Sequence, residues 1–215
     1  MAEKNQATAP ETVTAGIEVG LEVVIEWAAI RATLKELAKT WARQSGNPGM
    51  EKKYADDFSA RVDKEVSLLQ QDMISYRQFS EHAKREVERA RSKSNIDWQM
   101  LSNVLGLGQM EGMTDQQAME QAYISSNNSM SLVANMMVLR NGAQKVLDQV
   151  KEQWASHPGA SAQQVDTFVD TLLEQQKSAL LEKDEFLDKQ VNYLIGQVNF
   201  RHTPAPGITP RKPGR

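Results

Sequence analysis

The sequence predicts an all-α fold: an elongated bundle of about four long amphipathic helices, arranged as two helical hairpins with coiled-coil character. Three observations lead to this prediction. Apolar residues recur at spacings of three and four along most of the 215 residues. Glycine and proline clusters divide the chain into four segments. No stretch keeps the alternation of apolar and polar residues that indicates a strand.

The first predicted helix extends from about Thr12 to Arg43, after a flexible N-terminus at residues 1–11. The sequence Ser-Gly-Asn-Pro-Gly at 45–49 ends it, because glycine favours helix termination and proline cannot continue a helix. Its apolar residues alternate in steps of four and three, the spacing of a heptad seam. They are Val23, Trp27, Ile30, Leu34, Leu37 and Trp41.

Gly16 and Gly20 give the first helix a Gly-x-x-x-Gly pattern. Small residues at this spacing let two helices approach closely, and we expect the segment to pack against a neighbouring helix. The alternative is that this amphipathic segment inserts into a membrane after a conformational change. Glu18, Glu22 and Glu26 argue against insertion, since carboxylates are costly at the centre of a bilayer.

The second predicted helix extends without interruption from about Met50 to Lys93, roughly 65 Å at 1.5 Å per residue. Its apolar residues again alternate in fours and threes, from Val62 to Ala90. A helix of this length is typical of coiled coils and extended bundles. Basic residues concentrate near its end, but neighbouring glutamates offset much of that charge, which favours a solvated face of ion pairs.

A glycine-rich corner at residues 94–113 separates the two predicted hairpins, and seven methionines lie between residues 100 and 137. Methionine fills gaps in cores and also lines surfaces that adapt to partners. We therefore expect the zone from residue 98 to residue 137 to be a mobile or partner-binding region. Its candidate interaction residues are Trp98, Leu101, Met110, Met130 and Met137.

The third predicted helix extends from Thr114 to about Ala155, and Thr114 with Gln117 forms a capping box at its start. The run Ser-Ser-Asn-Asn-Ser at 125–129 is a poor helix former, because these side chains compete for backbone hydrogen bonds. The run favours a kink or break in the middle of this helix.

The fourth predicted helix begins with a second capping box, formed by Ser161 and Gln164, and continues to about Phe200. Four leucines fall seven residues apart, beside a second apolar stripe, which suits a helix that contacts two neighbours. These leucines, Leu173, Leu180, Leu187 and Leu194, are further interaction candidates. We expect residues 201–215 to form a disordered, proline-rich basic tail, in which Arg211 and Lys212 are candidates for contact with an acidic partner.

These segments predict one helical-bundle domain at 12–200, with one hairpin at 12–93, the corner at 94–113 and the other hairpin at 114–200. The net charge of −3 and a pI near 5.7 argue against general affinity for nucleic acid or an anionic membrane. Without cysteine the chain has no disulfide and no cysteine-type zinc site. Residues 1–6 lack the features of a signal peptide, so we expect synthesis in the cytoplasm, with export by a signal-peptide-independent route left open.

The sequence offers no constellation for catalysis. The three histidines, His82, His157 and His202, lie in different segments and have no ligand partner at helical spacing. Neither a nucleophile elbow nor a phosphate-binding glycine loop is present. We therefore expect no enzyme activity, no metal site and no cofactor.

The seams on all four helices favour a non-enzymatic assembly or interaction protein, a structural or accessory component of a larger complex. We expect protein partners and self-association through the helical seams, and we do not expect nucleic acid as a partner. The alternative is an exported helical protein of a bacterial secretion or virus-associated system that acts at a membrane through the first helix.

Overall fold

The protein is a bundle of α-helices. The computed structural model describes residues 8–93, 115–157, 159 and 161–198, and within these ranges it contains six α-helices, one 3₁₀ turn at Pro48–Met50 and no strand. The predicted all-α class and helical bundle are thus confirmed. The helices are α1 (Thr8–Gln44), α2 (Glu51–Gln71), α3 (Met73–Lys93), α4 (Asp115–Ala155), α5 (Ala162–Leu181) and α6 (Asp184–Val198).

The two longest helices, α1 and α4, lie side by side and point in the same direction. Three contacts between them show this, because the residue numbers rise together on both helices: Val13 with Ser129, Glu26 with Arg140, and Trp41 with Trp154. They form the centre of the bundle, since every other α-helix among the described residues contacts both of them.

The remaining helices form two outer rods that are antiparallel to the central pair. We call α2 with α3 the first outer rod, and α5 with α6 the second outer rod. Glu11 of α1 pairs with Arg91 near the end of the first outer rod, and Lys151 near the end of α4 pairs with Asp166 near the start of the second. No contact joins the two outer rods to each other within the described ranges, so they lie on opposite sides of the α1–α4 pair.

The second predicted helix is not continuous, which corrects the expectation of a single rod from Met50 to Lys93. Asp72 has extended backbone (ψ 95°), and its side chain accepts hydrogen bonds from the backbone N–H groups of Ile74 and Ser75. It also accepts a hydrogen bond from the Ser75 hydroxyl, with 2.7 Å between the oxygens. Asp72 therefore caps the start of α3, and a cap requires the preceding helix to end.

The fourth predicted helix is also divided, at Glu182 and Lys183. The backbone N–H of Lys183 donates to the carbonyl of Leu180, which tightens the end of α5. Asp184 and Glu185 then occupy the first turn of α6, where negative charge is stabilised by the helix dipole. The leucines at heptad spacing are thus shared between two helices.

Other helix boundaries follow the sequence more closely. The capping box at the start of α5 is confirmed: the Ser161 hydroxyl accepts from the Gln164 backbone N–H at 3.2 Å, and the Gln164 side chain accepts from the Ser161 N–H. The helix α1 begins at Thr8, four residues before the expected start, and ends just before Gly46, whose φ is +69°. The predicted cap at Thr114 lies outside the described residues.

The Ser/Asn run at 125–129 does not break α4, which is one uninterrupted helix from Asp115 to Ala155. Ser125 and Ser129 are buried. A Cβ atom on Gly16 would overlap the Ser129 hydroxyl and would lie 2.9 Å from the Ser129 Cβ. Close packing of the Gly-x-x-x-Gly segment against a neighbouring helix is therefore confirmed at Gly16, and the small serines of α4 make it possible.

The buried apolar residues form two clusters along the bundle axis. The first is built on the start of α1 and the middle of α4, and it is closed by Ala83 and Val87 of α3 together with Leu194 and Val198 of α6. The second is built on the other half of α1 and the end of α4, and it is closed by residues of α2 and α5. Thus α3 and α6 cover one half of the bundle, and α2 and α5 cover the other half.

Candidate interaction surface

The exposed large apolar side chains lie mainly on the outer rods. The central helix α1 contributes none of them, and its Val23 and Ile30 are each only 3% exposed. The exposed set in the described residues is Leu68, Met73, Ile74, Tyr123, Phe168, Leu181 and Tyr193.

The most exposed of these side chains sit where α2 meets α3. Met73 is 82% exposed, Ile74 72% and Leu68 47%. Met73 and Ile74 immediately follow the capping residue Asp72, and the backbone N–H of Asp72 donates to the carbonyl of Leu68 at 3.0 Å. Three exposed apolar side chains therefore flank the interruption, and we call Leu68, Met73 and Ile74 the junction patch.

The second outer rod exposes apolar side chains of its own. Leu181, at the end of α5, and Tyr193, in α6, are each 48% exposed. Phe168 is exposed on one side but packs edge-on against Trp154 of α4, with 5.7 Å between ring centroids. Leu181 directly precedes the division between α5 and α6, just as the junction patch flanks the division between α2 and α3.

Charged side chains attach the outer rods to α4. Lys145 lies 2.6 Å from Glu65 of α2, and this hydrogen bond lowers the pKa of Glu65. Lys151 bridges Asp166 and Asp170 of α5 at 3.0 Å each. Burial alone would lower the pKa of Lys151, but the hydrogen bonds to the two aspartates outweigh burial and raise it.

The exposed charges of the outer rods differ in sign. In α3 the exposed basic residues outnumber the exposed acidic ones by five to two; they are Arg77, Lys84, Arg85, Arg89 and Lys93 against Glu81 and Glu88. Residues 162–198 carry seven acidic and three basic residues, a net charge of −4. The first outer rod is therefore basic over α3, and the second outer rod is acidic.

A polar cleft of about 360 Å³ lies between α1, α4 and α5. The ion pair between Glu26 and Arg140, 2.9 Å apart, forms one wall. Glu174 and Lys177 of α5 form the opposite wall, and Leu173 is part of the lining. Both signs of charge are present in equal number, so the cleft does not select an anionic or a cationic ligand.

The structure places the predicted interaction residues in three environments. Met137 and Leu194 are buried in the first core cluster, so their side chains are already packed within the chain. Met130 is half-buried, as are Leu173, Leu180 and Leu187 of the second outer rod. The other candidates, Trp98, Leu101, Met110, Arg211 and Lys212, lie outside the described residues.

The junction patch was not among the sequence candidates. The sequence nonetheless contains a sign of it, because Asp72 and Ser75 are three residues apart, the spacing at which a capping side chain accepts hydrogen bonds from the residue in the first turn. The apolar spacing continues across this cap, and periodicity alone therefore predicts a single helix with Met73 facing inward.

Two further features bear on the function. In the described ranges, no group of three or more histidine, aspartate or glutamate side chains is arranged to hold a metal ion. None of the helices there is both long enough and apolar enough to cross a membrane. Comparisons with protein-family models, with curated proteins and with solved structures found no match for this chain.

Proposed function

We propose that this chain is a non-enzymatic structural or accessory component of a larger protein assembly, and that it self-associates in that role. The observation that carries the proposal is the junction patch. Burying a side chain the size of leucine or methionine is worth about 1.5–3 kcal/mol. Three such exposed side chains beside one helix division are available to stabilise contact with another protein.

The distribution of apolar side chains supports the same role. The central pair α1 and α4 fills the core, while Leu181 and Tyr193 add exposed apolar area on the second outer rod. An interaction protein needs a stable interior and a separate exposed surface, and the outer rods supply that surface. Their charged side chains would form the polar rim that surrounds apolar contacts in protein interfaces.

Solution mass and shape test the proposal. Light scattering combined with small-angle X-ray scattering should give a mass that rises above 24.1 kDa with concentration for the wild-type chain. Met73→Ser/Ile74→Ser should lower that mass at each concentration, because both side chains are exposed and their loss leaves the core intact.

The matched control is Gln70→Ser/Gln71→Ser, which changes two exposed polar residues beside the patch. It should associate like the wild type. A wild-type chain that stays at 24.1 kDa at every concentration, including low salt, would overturn the proposal.

A further inference from the structure

The two outer rods present opposite sides of the bundle to solvent. No contact joins α2 or α3 to α5 or α6 within the described ranges, and the α1–α4 pair lies between them. A second copy placed beside the first can therefore bring its second outer rod against the first outer rod of its neighbour. In such an arrangement every copy uses two different faces, one for each neighbour.

The helix divisions on the two sides lie at the same level of the bundle. On the first outer rod, Val66 contacts Gly142 of α4 before the division at Asp72, and Tyr76 contacts Asn135 of α4 after it. On the second outer rod, Leu173 lies before the division after Leu181 and lines the cleft with Arg140 of α4. Leu194 lies after that division, and both Leu194 and Val133 of α4 adjoin Gly20. Both divisions thus lie beside residues 133–142 of α4. The junction patch and Leu181 consequently lie at one level on opposite sides of the α1–α4 pair.

The charges on the two sides are also complementary at that level. Helices α3 and α6 cover the same half of the bundle, because both close the first core cluster. The exposed face of α3 is basic, and the exposed residues of 182–189 comprise four acids and two lysines. Arg77 lies one turn beyond Met73 in α3, and Asp188 lies in the second turn of α6, after Leu181 and the helix division. On both outer rods the charged residues therefore follow the apolar residues in the same direction.

From these placements we propose that copies of this chain associate side by side in one orientation, with the outer face of α3 on one copy against residues 181–189, from the end of α5 into α6, on the next. The inference rests on the proposed function, since it names the surfaces through which the chain self-associates. Met73 and Ile74 meet Leu181 of the neighbouring copy, and Arg77 and neighbouring bases of α3 meet Glu182 and Asp188.

This geometry fixes the kind of assembly. Because the two contacting faces are different, the contact is head-to-tail, and it produces a ring if the rotation between copies closes and an open row if it does not. A contact made by one helix pair is small, so we expect weak association that depends on concentration. Salt should weaken it further, because exposed charges are screened over about 10 Å at 0.1 M ionic strength.

Charge reversal on each face separately provides the test. Arg77→Glu/Arg85→Glu reverses the charge of the α3 face, and Glu182→Lys/Asp188→Lys reverses the charge of the face that it meets. None of these four side chains is in an ion pair within the described residues, so their replacement breaks no ion pair there. Each variant alone should remain at 24.1 kDa under conditions in which the wild type assembles, because like charges then meet. An equimolar mixture should recover the assembled mass, since both contacts become complementary again.

Lys52→Glu/Lys53→Glu is the matched control, with the same charge change on α2, and it should assemble like the wild type. Circular dichroism establishes that every variant keeps its helices. If the charge-reversal variants assemble to the same mass as the wild type, or if salt does not change the wild-type mass, this inference is overturned while the proposed function stays intact. Failure of the mixture to recover mass would also overturn it. A wild-type chain that never assembles would overturn both proposals.

Discussion

Gly16 of α1 and Ser129 of α4 approach each other so closely that a Cβ on Gly16 would overlap the Ser129 hydroxyl. The Ser129 hydroxyl lies 3.4 Å from the carbonyl of Val13, to which it donates. The contact has no room for a larger residue on either helix. It brings the two central helices together where the first core cluster begins, and it explains why a small residue stands at position 129.

Gly16→Ala should destabilise the bundle by about 1–3 kcal/mol, because the added methyl group overpacks a tight helix contact. Chemical denaturation monitored by circular dichroism measures the loss. Gly196→Ala is the control: no atom of the described residues lies within 4 Å of its added Cβ, so alanine should stabilise α6 by up to about 1 kcal/mol. Adding Ser129→Gly to Gly16→Ala should recover part of the loss, and a purely additive double variant would contradict the predicted clash.

Thr33→Val should stabilise the protein. The Thr33 side chain is fully buried and its hydroxyl has no hydrogen-bond partner among the residues that the structure describes, so valine removes an unsatisfied polar group without changing the shape. The expected gain is about 1 kcal/mol in the free energy of unfolding. Thr40→Val is the control on the same helix, because the Thr40 hydroxyl donates to the Glu36 carbonyl at 3.0 Å and its removal brings no such gain. Equal effects of the two substitutions would contradict the prediction.

Asp72→Ala should loosen the start of α3, because it removes the acceptor for two backbone N–H groups and the Ser75 hydroxyl. We expect the melting temperature to fall by about 2–4 °C. Asp72→Asn keeps a side-chain oxygen at the cap and should retain most of the stability. If alanine and asparagine lower the melting temperature equally, capping does not explain the division between α2 and α3.

Stability should fall on acidification below about pH 4.5. The hydrogen bond from Lys145 lowers the pKa of Glu65, and the hydrogen bonds from Ser75 lower that of Asp72. A carboxylate whose pKa is lowered on folding contributes stability above its unfolded pKa, and this contribution is lost as the pH falls through the folded value. Thermal unfolding from neutral pH to about pH 3 measures the loss. Glu65→Gln should make the decline shallower, and an unchanged slope would contradict the assignment to Glu65.

Lys151 should affect the stability of the protein at alkaline pH. Its pKa is raised above the ordinary value of 10.5, so its contribution is present below that value and is lost as the pH rises through the folded pKa. Lys151→Met should therefore lower stability at neutral pH and make the decline in stability above about pH 10.5 shallower than in the wild type. An alkaline decline of the same size in both proteins would exclude Lys151 as its source.

The helical class and the cap at Ser161 could be predicted from the sequence because apolar spacing and capping residues act locally. Ser161 and Gln164 form the expected capping box. The course of α4 through its serine run could not be predicted, because the packing of Gly16 on Ser129 outweighs the poor local propensity of these residues. The divisions of the outer rods were missed for a related reason: the heptad spacing continues across Asp72 and Glu182 although the helices end there.

The interaction surface was harder to predict than the fold. The leucines of the fourth segment have the spacing expected for a contact between chains, yet Leu194 is fully buried within this one. Heptad spacing identifies a face that packs, and it does not distinguish packing within a chain from packing between chains. The exposure of Met73 and Ile74 depends on the change in backbone direction at the Asp72 cap. The apolar periodicity contains no information about this change.

Site-specific crosslinking tests the side-by-side arrangement most directly, and the absence of cysteine from the chain makes each introduced thiol unique. Met73→Cys and Leu181→Cys are prepared as separate chains, and each is treated alone and in an equimolar mixture with a short bis-maleimide. We predict a crosslinked dimer in the mixture and little in either chain alone, because residue 73 of one copy adjoins residue 181 of the next. Efficient crosslinking of the Met73→Cys chain to itself, or no crosslinking in the mixture, would contradict the account.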